Sequence, residues 1–73
     1  MTTYVMQIIL DKCHKKMETA TASVFVKAED DVSMDTLVKL ATNKARESLK
    51  GFEHAICIDY RYLGTAKHFY IVG

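Results

Sequence analysis

The chain contains no proline and no tryptophan, and it has only three glycines and two cysteines in 73 residues. The glycines stand apart, at Gly51, Gly64 and Gly73, so no glycine-rich loop is available to cradle a phosphate. Cys13 and Cys57 cannot build the set of disulfides on which small secreted domains depend. They read as free thiols of a reduced protein. The opening Met1-Thr2-Thr3-Tyr4 carries no charged stretch, and the apolar run at 5–10 is too short for the core of a secretory leader. No segment approaches the length of a membrane span. These absences together predict a cytoplasmic protein.

Charge of one sign is also missing. The formal net charge is +1, whereas a dedicated nucleic-acid binder draws much of its affinity from a basic excess. The total hides a mild asymmetry. Glu29, Asp30, Asp31 and Asp35 cluster in one stretch, and bases outnumber acids later, with Lys44, Arg46, Lys50, Arg61 and Lys67 against Glu47, Glu53 and Asp59. There are no repeats, linkers or low-complexity tracts.

What the chain does hold is an ordinary globular balance, 49% hydrophobic and 26% charged. That is too much Val, Ile, Leu and aromatic content for a solvated coil. The length suits one compact domain over 1–73, with a thin core, since a chain of this size buries only about 60% of its unfolded surface.

Residues 4–10 are β-branched and apolar and read as a strand. Residues 11–19, with Lys12, Lys15 and Lys16 around Cys13 and His14, read as a solvated loop. Residues 20–28 alternate small or polar with apolar positions, giving a second strand antiparallel to the first. An acidic turn follows, then Ser33, a good helix N-cap whose hydroxyl can accept from the first-turn N–H groups. Apolar residues at 34, 37, 38, 41, 45 and 49 form a stripe of helical period, and Gly51 is the expected left-handed stop. The helix should therefore run over about 33–50. Residues 54–62 and 66–72 read as two further strands joined through Gly64-Thr65, a pair suited to a tight hairpin turn.

The predicted fold is α+β in the order β-β-α-β-β: one four-stranded, mostly antiparallel sheet with a single helix packed on one face. Its strand order is not readable from the sequence. Alternation assigns Met6, Ile8, Leu10, Val24 and Val26 to the helix-covered face, with Ile56, Ile58 and Tyr60 opposite Phe69 and Ile71. Val5, Gln7, Ile9, Ser23, Phe25 and Lys27 fall on the uncovered face, with Cys57, Asp59, Arg61, His68, Tyr70 and Val72. One helix covers only one side of such a sheet. The other, with aromatics beside arginine, has the composition of a protein interface.

The chemistry-bearing groupings are weaker. Cys13 with His14, or His54 with Cys57, supplies too few ligands for a tetrahedral zinc site, and His54 and Cys57 point to opposite faces of a regular strand. Cys57, Asp59 and His68 suggest a thiol nucleophile with a base, but the pattern indicates no oxyanion hole. Asp59, Arg61, His68 and Tyr70 read instead as a cross-strand ladder. No cofactor or metal is expected and no enzymatic activity.

The layout of a small sheet with one helix resembles that of several compact phage-encoded inhibitors of host machinery, some anti-CRISPR proteins among them. This resemblance implies stoichiometric blocking of a protein or nucleoprotein, without catalysis. The expected partner-binding residues are Phe25, Lys27, Asp59, Arg61, His68 and Tyr70 on the open face, with Lys12, Lys15 and Lys16 in the basic loop. Two alternatives stand beside this one. The first is nucleic-acid binding through Lys12, Lys15, Lys16, Arg61 and Lys67. The second is a homodimer joined face to face or edge to edge.

Overall fold

The computed structural model describes residues 1–12 and 18–66. Three strands and one helix form in the order β-β-α-β: β1 (Thr2–Asp11), β2 (Thr19–Ala28), α1 (Met34–Ser48) and β3 (Ile56–Thr65). The sheet order is β2-β1-β3, and β1 pairs antiparallel with both neighbours. β2 and β3 therefore run parallel to each other with β1 between them, and the connection through α1 steps over one strand.

β1 and β2 match without interruption from Thr2↔Ala28 to Asp11↔Thr19. This register puts Met6, Ile8 and Leu10 on the same side as Val24 and Val26, the side that α1 covers, and all five are buried. The helix offers small residues to this surface. Ala41 and Ala45 are fully buried beside Leu37, so its backbone lies close to the sheet. Capping follows the sequence signals. The Ser33 hydroxyl accepts from the Thr36 backbone N–H at 3.2 Å. Asp35 sits in the first turn, where the helix dipole favours an acid. Past the C-cap at Leu49, Gly51 adopts φ +89°, a conformation costly for residues with a Cβ.

The second half of the chain departs from expectation in three ways. Gly64 and Thr65 are not a hairpin turn; they continue β3, opposite Val5 and Tyr4. Gly64 does take a positive φ, 116°, but beside the register shift that falls between Val5 and Met6 of β1, where the glycine eases an irregularity inside a strand. A glycine followed by a small polar residue looks the same in sequence whether it turns the chain or bulges it. Second, the described residues contain three strands, not four, and the expected fourth strand at 66–72 lies outside them except for Ala66.

Third, the face assignment at the start of β3 is reversed. A second register shift falls between Ile9 and Leu10, so Leu10 faces Cys57 and Asp11 faces Ile56, with Ile58 as the extra residue. Cys57 is thereby on the helix side and half-buried, and Ile56 is on the open side. Beyond the bulge the phase returns to the expected one, with Tyr60 beside Ile8 and Asp59 beside Ile9. Ile56, Ile58 and Tyr60, all expected in the core, are 48%, 48% and 45% exposed. For Tyr60 the reason is cover, since it faces the helix side but α1 packs on β1 and β2 and scarcely reaches β3.

Candidate partner-binding surface

Directly opposed residues in a sheet share a face, so the pairing registers lay out the side away from α1 in rows across the strands. Lys27 adjoins Thr3. Phe25 adjoins Val5 and then Gly64; Ser23 adjoins Gln7 and then Arg61; Thr21 adjoins Ile9 and then Asp59; Ile56 adjoins Asp11. Phe25 is 50% exposed, and Lys27, Asp59 and Arg61 are exposed. Two strand spacings and one row separate Phe25 from Arg61, about 12 Å between Cα atoms. The sequence thus places these four residues on one face, and the structure agrees.

The interior of this surface is more polar than alternation alone suggests. Val5, expected open, is buried in the central strand between Phe25 and Gly64. Gln7 and Ile9 are half-buried. Phe25 and Ile56 are exposed apolar corners, separated by the Ser23–Gln7–Arg61 and Thr21–Ile9–Asp59 rows. Ile56 is the residue that the sequence does not assign here, because the bulge that moves it leaves no mark on the hydrophobic pattern.

The expected ladder of Asp59 and Arg61 with His68 and Tyr70 reaches outside the described residues; within them Asp59 makes local contacts. Its carboxylate accepts from the backbone N–H of Tyr60 at 2.8 Å, and the Cys57 thiol donates to the Asp59 carbonyl at 3.2 Å. Both contacts are local and tie down the bulge. His68 and Tyr70 lie outside the described residues.

The basic loop divides likewise. Lys15 and Lys16 lie outside the described residues. Lys12 is already committed: its ammonium pairs with Glu18 at 3.0 Å and stands 4.6 Å from the centre of the Phe52 ring. A lysine held by a carboxylate and an aromatic face is a poor phosphate contact. The Glu53 carboxyl nearby is held below its ordinary range by its own backbone N–H and by that of Gly51, which donates at 3.2 Å.

A groove of about 400 Å³ runs between α1 and the start of β3, lined by Val38, Lys39, Thr42, Asn43, Arg46 and Cys57. Arg46 closes one end, donating from Nε to the Ala55 carbonyl at 2.6 Å and from Nη1 to Asn43 at 3.3 Å. Thr42 is only 6% exposed and its hydroxyl has no partner among the described residues. Cys57 is a free thiol. Among the described residues no three His, Cys, Asp or Glu side chains gather as a metal site requires, and no helix is long and apolar enough to cross a membrane.

Comparison with known proteins returns no match: no family model, no curated protein and no solved structure corresponds to this chain.

Proposed function

We propose that this chain is a non-catalytic protein-binding module that engages its partner through the sheet face opposite α1, with Phe25 as the apolar anchor and Lys27 and Arg61 as flanking cations. The observation that carries this reading is the half-exposed Phe25 on the face away from α1, sharing that face with Arg61, Lys27 and Asp59. An exposed aromatic ringed by polar and charged groups is the arrangement in which binding energy concentrates at interfaces. The mode of action that fits is stoichiometric blocking of a protein or nucleoprotein, as the resemblance to compact phage-encoded inhibitors implies. Affinity capture from the native host identifies the partner.

Phe25→Asp places a charge at the anchor without touching the core. Partner capture should fall by tenfold or more, on the scale of about 2 kcal/mol typical of a hot-spot residue. Thermal unfolding should stay close to that of the parent chain. Capture undiminished by Phe25→Asp and by Arg61→Ala would remove this face from consideration.

A further inference from the structure

We propose that β3 is a self-pairing edge, and that two copies of this chain join antiparallel along it about a two-fold axis at Tyr60. Among the described residues no strand pairs with the outer side of β3, which is the last strand in the order β2-β1-β3. Among the described residues this strand also concentrates the exposed apolar surface, with Ile56, Ile58, Tyr60 and Tyr62 all about half exposed. A long edge strand with uncovered apolar side chains is a ready template for pairing. α1 stands over β1 and β2, so it does not overhang the approach.

Charge decides the occupant and the register. In an isologous antiparallel pair, residues that face each other must lie on the same side of the sheet, so the axis passes through a residue. An axis at Asp59 sets two carboxylates opposite each other, and one at Arg61 sets two guanidinium groups opposite each other. Both arrangements are unfavourable. An axis at Tyr60 sets Asp59 of each copy opposite Arg61 of the other, giving two ion pairs on the open face. It also sets Tyr60 opposite its own counterpart on the helix side. This register uses the stretch Asp59–Tyr62, which lies between the two bulges and pairs one-to-one with β1. The Tyr60 N–H, now answered by its neighbour's carboxylate, becomes available to the second strand as Asp59 turns to Arg61. The product is one continuous sheet in the order β2-β1-β3-β3-β1-β2.

Sedimentation velocity over a range of concentrations tests this on the full chain. The parent chain should dimerise. Asp59→Arg and Arg61→Asp should each weaken the dimer by about tenfold or more, because each replaces two attractive pairs with two like-charged ones. An equimolar mixture of the two variants should dimerise again, since every facing pair is then of opposite sign. Should either variant fail to hold its fold by circular dichroism, the doubly reversed chain (Asp59→Arg with Arg61→Asp) carries the test and should dimerise as the parent does. A parent chain that is monomeric at every concentration overturns the proposal, as do single variants that dimerise like the parent or a doubly reversed chain that stays monomeric. Phe25 lies on the opposite edge strand, so capture by Phe25→Asp reports on the partner surface apart from the dimer, whereas Arg61 serves both and its capture result is read beside the sedimentation of the same variant.

Discussion

β2 and β3 flank β1 in the same antiparallel sense, yet their surroundings differ. β2 matches β1 residue for residue over its whole length, and its inward side chains meet α1. Its backbone also receives help from the helix, where Lys44 donates from its ammonium to the Phe25 carbonyl. β3 pairs with β1 along its length but is interrupted by two bulges, and its helix-side residues Tyr60 and Tyr62 stand about half exposed. Its own side chains, Asp59 and Cys57, answer its backbone. Two strands with similar apolar content thus play different parts: one is half of the core and the other presents surface. The difference comes from where a single 15-residue helix is laid, because it is wide enough to shield two strands and not three.

The contrast can be broken most strongly at the central strand. Ile8→Ala removes a fully buried side chain beneath α1 and should cost about 3 kcal/mol, a large share of the stability of so small a domain. Ile58→Ala, in the bulge of β3, should cost less than about 1 kcal/mol. Urea unfolding of the two variants measures both. Equal losses would mean that β3 is packed as tightly as the β1–β2 half.

The groove between α1 and β3 sharpens the comparison. Thr42→Val keeps the shape of the side chain and removes a buried hydroxyl that has no partner among the described residues, so it should stabilise the fold by about 1 kcal/mol. A raised midpoint in thermal unfolding checks this, and a lowered one would show that the hydroxyl holds a partner across the groove.

The smallest effect concerns the link from α1 to β3. Glu53 has its carboxyl pKa lowered by backbone hydrogen bonds, its own and that of Gly51, so its contribution is complete above the ordinary carboxylate range and is lost as pH falls through the depressed value. A pH titration followed by NMR should show Glu53 protonating below the ordinary glutamate range, with the Gly51 amide shift tracking it. Because Glu53 is exposed, the link should loosen locally while the fold persists.

Much of the first half was legible because its signals are local. Alternation along 4–10 and 20–28 marks the buried set, and Ser33 and Gly51 bracket the helix by capping chemistry. Phe25, Lys27, Asp59 and Arg61 share a face for the same reason of period. The signals are ambiguous where one residue can serve two purposes. Gly64 looks like a turn and acts inside a strand; Ile56 looks like core and stands in the open because Ile58 is inserted into the ladder. Cys57 moved to the helix side by the same insertion. His68, Tyr70, Lys15 and Lys16 lie outside the described residues.

By itself the sequence determined the class of each early element, the helix ends, and which residues of β1 and β2 face inward, since these follow from side-chain period and backbone capping within a few residues. Only the tertiary structure decided that β1 is central, that β3 carries two bulges, and that the helix rests over β1 and β2. Those outcomes depend on pairings between segments distant in the chain, where the competing registers differ by few contacts and no local pattern distinguishes them.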